Sequence, residues 1–170
     1  MEMDGAPQSQ PLTDEFFEKT KTKAEEEYKK LEKIYCPYFK GEVLFNVKGL
    51  DHVKSKEWGK ARNRFDQYLR LKLLYLAPTI LEQSHTVQGI WKTKGWERRK
   101  RYGKWEKVMI EVSYYEFVAV TGKVRIKIIV KEVSGGSKFF WTIIPFWRTN
   151  PVTNQRMLHE NDTEAEAADD

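Results

Sequence analysis

Cysteine is almost absent from this 170-residue chain, since Cys36 is the only one. A single thiol excludes an internal disulfide framework and a zinc site built from cysteine pairs, and it favours a reducing compartment. Long apolar runs are also missing, because no stretch reaches the roughly 18–20 residues that a membrane helix requires. The opening residues MEMDGAPQSQP have neither the basic start nor the apolar run of a signal peptide. We therefore expect a soluble cytoplasmic protein with no membrane contact and no cofactor.

Acidic residues are scarce outside the C-terminus. The net charge is +5, yet the last eleven residues, ENDTEAEAADD, hold six acidic groups and no basic one. The remaining chain therefore carries a net charge of +11. The high positive charge of residues 1–159 predicts a polyanionic partner, most often nucleic acid. A lysine surplus that serves only solubility is the alternative.

The residue patterns divide the chain into four parts. We predict a disordered N-terminus (1–12), a helical arm (13–35), a main domain (41–148), and a loop with an acidic disordered tail (149–170). Helical spacing continues from residue 56 to a break at Pro78, and strand-like Val, Ile and aromatic residues follow. The expected fold is α+β, with N-terminal helices packed on one face of a twisted four- to five-stranded antiparallel sheet.

Residues 91–107, WKTKGWERRKRYGKWEK, contain eight basic residues against two acidic ones. Their glycines predict a long hairpin loop, and tryptophans stand among the cations. We expect this loop to hold a phosphate backbone while its aromatic rings stack on unpaired bases. The alternative is a solvated hairpin whose tryptophans fold back on the sheet. The candidate RNA-binding residues in this loop are Lys92, Lys94, Trp96, Arg98, Arg99 and Arg101.

The strands before and after two glycine-containing turns define a second candidate site. A two-residue loop at Thr121-Gly122 would set Glu116 opposite Lys127, and the SGGS turn would set Ile129 opposite Thr142. Alternation then gives one apolar core face, which includes Trp141, and one polar face. The alternative is an ordinary cross-strand ion pair between Glu116 and Lys127. The polar face is predicted to carry Tyr114, Glu116, Arg125, Lys127 and Thr142.

An acid, several cations and a hydroxyl suit metal-free cleavage of RNA by its own 2′-hydroxyl. A base removes the 2′-OH proton, cations hold the charge of the phosphorane, and an acid protonates the leaving 5′ oxygen. The product is a 2′,3′-cyclic phosphate, and DNA is inert because it lacks the nucleophile. His52 is predicted to follow a strand and a glycine turn, and a histidine can act as acid or base near neutrality.

The segments FNVKGLDH, YYEFVAV, KVRIKIIVKE and KFFWTIIPFW occur in an order that resembles the barnase/EndoU/colicin/RelE-like nuclease superfamily. The closest similarity is to its phage and mobile-element members, and it covers roughly residues 42–148. The resemblance implies a helical cap on a four-stranded antiparallel sheet and metal-independent ribonuclease activity. It also implies a toxin or effector that acts in the host-cell cytoplasm and can have an immunity or antitoxin protein.

Carried over by motif, the resemblance assigns catalytic roles to five residues. GLDH offers His52, and the next helix offers Arg64, with Arg62 as a weaker choice. The strands offer Glu116, Arg125 and Thr142, and Tyr114 and Lys127 join the RNA-binding set. Two other classes of function remain open: a non-catalytic nucleic-acid-binding module, and a virion-associated interaction protein.

Overall fold

A computed structural model describes residues 12–56, 60–121 and 124–146. Within these ranges four helices and one six-stranded sheet form an α+β fold, as expected. The sheet has six strands rather than four or five, and it is mixed rather than antiparallel, because β2 and β6 pair in parallel at Leu44 and Phe139. The strand order is β1-β2-β6-β5-β4-β3. The elements are α1 (Asp14–Lys30), β1 (Lys33–Cys36), β2 (Gly41–Leu44), α2 (Val47–Lys54), α3 (Arg64–Leu73), α4 (Leu76–Glu82), β3 (Gly89–Arg101), β4 (Lys104–Thr121), β5 (Val124–Val133) and β6 (Lys138–Phe146).

Side-chain caps mark the starts of three helices. Thr13 Oγ1 accepts from the Phe16 amide at 3.3 Å, and Asn63 Oδ1 accepts from the Asp66 amide at 2.8 Å. Helix α1 ends at Lys30, earlier than predicted, because Leu31 is already extended and the chain then enters β1. Strand β1 was missed because it is only four residues long, whereas β2 overlaps the short strand that was predicted before His52.

The predicted loop around His52 is instead the helix α2, capped by Asn46 Oδ1 at 3.2 Å from the Gly49 amide. Gly49 allows this helix to lie directly on β6. A β-carbon on Gly49 would stand 2.3 Å from the Phe140 carbonyl oxygen and 2.8 Å from Tyr28 Oη. The glycine therefore serves close packing of helix on strand and not a turn.

The helical pattern predicted from residue 56 begins only at Arg64, because Ala61 forms an isolated β-bridge with Ser55 and Asn63 caps α3. It then divides into α3 and α4, with the break at residues 74–75 rather than at Pro78. Pro78 is the third residue of α4. Its missing amide hydrogen costs nothing there, because first-turn amides have no partner within their own helix.

The basic segment is not a loop but a β-hairpin whose strands pair up to Arg101 and Lys104. Only Tyr102 and Gly103 form the turn, both with positive φ, at 47° and 79°, as a type I′ hairpin turn requires. Pairing of β4 with β5 stops at Val112 and Val133. Residues 95–110, which we call the ribbon, therefore extend beyond the rest of the sheet.

The register between β4 and β5 differs from the prediction by two residues. Thr121 pairs with Val124, so Glu116 lies opposite Ile129 rather than Lys127. The β5–β6 register is as predicted as far as Ile129 and Thr142, and an irregularity then follows between Ile129 and Val130.

The sheet has a helix face and a far face, and each carries apolar residues. The helix face includes Phe117, Ile126, Ile128, Phe140 and Ile143, which pack with helix residues into the main core. The far face has a smaller cluster of Val112, Tyr114, Ile129, Phe139, Trp141 and Ile144. Trp141 was expected on the helix face, and that prediction was wrong because Trp141 is the extra residue of the irregularity, between Phe140 and Thr142.

Candidate functional site

A row of paired residues crosses the far face at Glu116, Ile129 and Thr142. Lys127 is two residues from Ile129 and therefore shares that face. Its Nζ lies 3.2 Å from Glu116 Oε1, and each of the two side chains is 16% exposed. The carboxylate and the ammonium are thus diagonal neighbours, within reach of solvent but partly shielded from it, which strengthens their attraction relative to a surface pair.

Thr142 lies at the buried end of this row. Its side chain is fully buried, and its Oγ1 accepts from Arg70 Nη1 at 2.9 Å. Arg70 is also buried, and its Nε donates to Asp66 Oδ1 at 3.0 Å. Asp66 Oδ2 lies 3.8 Å from Arg62 Nη1. The hydroxyl that the sequence suggested as a catalytic group is therefore an acceptor within a buried ionic cluster.

His52 belongs to the same buried region. Its ring stacks on Trp141 with centroids 4.0 Å apart, and its carbonyl oxygen accepts from Arg62 Nε and Nη2 at 3.1 and 3.0 Å. Burial, followed by the charges of Arg62, Arg70 and Lys131, lowers the pKa of His52 to about 2. A ring with that pKa is neutral near pH 7 and does not carry the proton that a general acid supplies.

Lys131 places a third cation in this region. Its Nζ lies 4.2 Å from the Trp141 ring centroid, 5.7 Å from the Tyr114 centroid and 3.7 Å from Glu97 Oε1. Aromatic faces and a carboxylate compensate the loss of water around this ammonium. Tyr114 is buried and stacks on Trp91, so it does not present an exposed ring for a base.

The remaining predicted catalytic residues lie apart from this cluster. Arg64 pairs with Asp14 and lies 4.8 Å above the Phe17 ring, so it packs on α1. Arg125 is exposed and pairs in register with Val120. It shares the far face with Lys127, two residues away, and lies near the start of β5.

The predicted RNA-binding residues of the hairpin divide between its two sides. Lys92, Lys94, Trp96 and Arg98 point to the side that continues the helix face, and all four are exposed. Arg99 and Arg101 point to the opposite side, where Arg99 Nη2 donates to the Ser134 carbonyl oxygen. The prediction treated these residues as one surface, which a flexible loop would have allowed and a pleated hairpin does not.

Sequence reasoning missed the buried ionic cluster, although part of its signal was present. Arg62, Asp66 and Arg70 follow one another at four-residue spacing, which predicts neighbouring charges along one helix side. Lys131 comes four residues after Lys127 in β5, an even spacing, so it could have been assigned to the same face. Their burial could not be read from either pattern, because it depends on how α2 and α3 dock against β6.

Comparison with protein-family models, with curated proteins and with solved structures gave no match for this chain. Among the residues that the structure describes, no helix is both long and apolar enough to cross a membrane. The same residues contain no group of three or more His, Cys, Asp or Glu side chains placed to hold a metal ion.

Proposed function

We propose that this protein is an endoribonuclease that cleaves RNA through attack of the 2′-hydroxyl, without a metal ion, and leaves a 2′,3′-cyclic phosphate. The observation that carries the proposal is the Glu116–Lys127 pair on the far face, with an acid and a cation 3.2 Å apart and partly exposed. The chain has a net charge of +5, and the part before the acidic C-terminus has a net charge of +11. This positive charge favours a polyanionic substrate.

In this scheme the Glu116 carboxylate accepts the 2′-OH proton. The 2′ oxygen then bonds to phosphorus, and the bond from phosphorus to the 5′ oxygen breaks. Lys127 and Arg125 balance the negative charge that builds up on the phosphorane oxygens. Water provides the proton for the leaving 5′ oxygen, because His52 is neutral and buried. Departure of the 5′ oxygen is therefore the step that receives the least help from protein side chains.

The proposal assigns positioning roles to the buried residues. Thr142 and Arg70 hold β6 and α3 together behind the Glu116 row, and His52 stacks on Trp141. Arg64 takes no part in the reaction, since its guanidinium pairs with Asp14. By the resemblance noted above, the protein would be a phage or mobile-element effector, and an immunity protein would be its partner.

The test is incubation of the purified protein with a mixed RNA population in EDTA. The expected products carry 2′,3′-cyclic phosphate ends, and matched DNA remains intact. RNA that is bound but uncut over a long incubation would overturn the proposal. RNA that is cut only after Mg²⁺ is added would overturn the metal-independent mechanism.

A second candidate function is non-catalytic binding of nucleic acid. Its specific support is the burial of His52 and Thr142, which removes two of the five predicted catalytic groups from contact with a substrate. A binder would shift RNA in EDTA and leave it intact. Its affinity would fall steeply as salt rises, because phosphate contacts release counterions.

A further inference from the structure

The ribbon carries a basic and aromatic ladder on one side. Its seven cross-strand pairs run from Gly95–Ile110 to Arg101–Lys104. Three of these pairs point away from the far face: Trp96–Met109, Arg98–Lys107 and Lys100–Trp105. Trp96 is 60% exposed and Trp105 is 64% exposed. Two indole rings are therefore open to solvent, with a pair of cations between them. We call this side of the hairpin the outer side.

The other side of the ribbon is occupied by contacts within the protein. Glu97 reaches Lys131 at 3.7 Å, and Arg99 donates to the Ser134 carbonyl. These contacts hold the ribbon against the end of β5 and fix which side faces solvent. The exposed tryptophans are consequently a property of the folded hairpin and not of an unpacked loop.

The outer side continues along β3 toward the candidate active site. Lys94 and Lys92 precede Trp96 on the same side of the strand, and β3 begins at Gly89, which pairs with Glu116. A β-carbon on Gly89 would lie 3.5 Å from Trp91 Cζ3, 3.5 Å from Glu116 Cβ and 3.7 Å from Glu116 Oε2, so the Trp91 ring borders this position. Since β3 is the edge strand, the missing side chain leaves a short route over the edge to the Glu116–Lys127 pair.

We infer that the outer side of the hairpin binds single-stranded RNA, which then crosses the edge of β3 at Gly89 to reach Glu116 on the opposite face. This inference rests on the proposed function for its choice of RNA as the natural ligand. Unpaired bases stack on Trp96 and Trp105, while Arg98 and Lys107 contact the phosphates between them. Bases within a duplex are already stacked and paired, so they cannot use these rings.

Charge favours a polyanion over an acidic protein surface as the occupant. The outer side has five cations, at Lys92, Lys94, Arg98, Lys100 and Lys107, and these are spaced along the strands. One carboxylate, Glu111, lies among them and is 3.6 Å from Lys92 Nζ. Alternation of aromatic and basic pairs matches the alternation of bases and phosphates in a single strand.

The first experiment measures binding of labelled single-stranded DNA of about 16 nucleotides, a length within the range of single-strand binding folds. This DNA cannot be cleaved through a 2′-hydroxyl, so binding is separated from the reaction. The double variant Trp96→Ala/Trp105→Ala should bind at least about 30-fold more weakly, because both stacking platforms are removed. The matched control, Tyr35→Ala, removes an exposed aromatic ring from β1 at the opposite edge of the sheet and should leave affinity unchanged.

A charge-matched pair tests the phosphate contacts. Lys94→Gln/Arg98→Gln should make binding less dependent on salt. The slope of the logarithm of the binding constant against the logarithm of the salt concentration should decrease by about 0.7 for each phosphate contact that is lost. Lys29→Gln/Lys30→Gln, on the last turn of α1, removes the same charge elsewhere and should keep the slope. Equal reductions in both double variants would show a general charge effect and would overturn the inference. So would equally tight binding of duplex DNA.

The second experiment measures RNA cleavage in EDTA with substrates of about 4 and about 16 nucleotides. The Trp96→Ala/Trp105→Ala variant should lose more activity on the longer RNA than on the shorter one. Equal reductions at both lengths would overturn the route over β3. If the protein cuts no RNA but the tryptophan variant still loses single-strand binding, the proposed function fails while the binding surface on the ribbon stands.

Discussion

Arg70 Nη1 lies 2.9 Å from Thr142 Oγ1, and this hydrogen bond joins the last turn of α3 to β6 across 72 residues of sequence. Both side chains are buried. The bond fixes the position of α3 relative to Thr142, which lies in the same cross-strand row as Glu116. Helix α3 is therefore attached to β6 by a polar contact in addition to apolar packing. Such buried bonds contribute modestly when made and cost much more when one partner is removed.

Thr142→Val tests this contact with a side chain of similar shape. The variant removes the acceptor from Arg70 Nη1, and we expect the free energy of unfolding in urea to fall by about 1–3 kcal/mol. Thr121→Val, at an exposed position at the end of β4, is the matched control and should change stability little. Equal stability of the Thr142→Val and wild-type proteins would show that the bond contributes nothing net.

Gly49→Ala tests the close approach of α2 to β6. In most helix interiors this change stabilises, by roughly 1 kcal/mol. Here the new methyl group would overlap the Phe140 carbonyl oxygen at 2.3 Å, so we expect destabilisation of about 1–3 kcal/mol or more. Urea midpoints measure the effect. Gly41→Ala is the control, because its nearest atom would be 3.7 Å away. A stabilised Gly49→Ala protein would refute the packing.

The buried His52 predicts a pH dependence of stability. Its pKa falls from 6.5 to about 2 on folding, so the unfolded state binds more protons between these values. The contribution of His52 to the free energy of unfolding is therefore fully present above pH 6.5, and it is lost as the pH falls toward 2. The free energy of unfolding of the wild type, relative to His52→Phe, should decline by about 1.4 kcal/mol per pH unit well below the unfolded pKa. Parallel pH profiles for the two proteins would contradict the lowered pKa.

Glu116→Gln tests the proposed general base. The amide keeps the shape of the side chain but cannot accept the 2′-OH proton, so cleavage of RNA in EDTA should fall by about 10²–10⁴-fold. Binding of single-stranded DNA should remain, which confirms that the variant is folded. Undiminished cleavage would remove Glu116 from the mechanism.

Arg125→Ala tests the proposed stabilisation of the phosphorane charge. We expect RNA cleavage to fall by about 10²–10³-fold while the urea midpoint is unchanged, because Arg125 is exposed on the far face. Arg64→Ala is the matched removal of an arginine, since Arg64 pairs with Asp14 on α1, and it should retain activity. A larger reduction in Arg64→Ala than in Arg125→Ala would reverse the two assignments.

Much of the sheet could be predicted because strand signals are local. Alternating apolar residues and the Gly-Gly turn identified β5, β6 and their register as far as Thr142. The β4–β5 register was wrong by two residues, since Thr121 belongs to the paired strand and not to the loop. A shift of two preserves the face of every side chain, so Glu116 and Lys127 were still assigned correctly to one face.

Features that depend on tertiary contacts could not be predicted. The irregularity at Trp141, the burial of Thr142 and the neutral state of His52 all follow from how α2 and α3 pack against β6. The basic hairpin was misjudged because both of its glycines were interpreted as loop residues, whereas Gly95 lies within β3 and only Gly103 lies in the two-residue turn. The pleat then separates Trp96 and Arg98 from Arg99, which are close in sequence but point to opposite sides.

Beyond Arg99, the cross-strand pairs of the ribbon join β3 to β4 and lie past the last pair of β4 with β5. Insertions or deletions of matched residues near its tip would lengthen or shorten it without disturbing either apolar cluster. If the ribbon binds single-stranded RNA as inferred, its length would set how many nucleotides it contacts, independently of the chemistry at the Glu116 row.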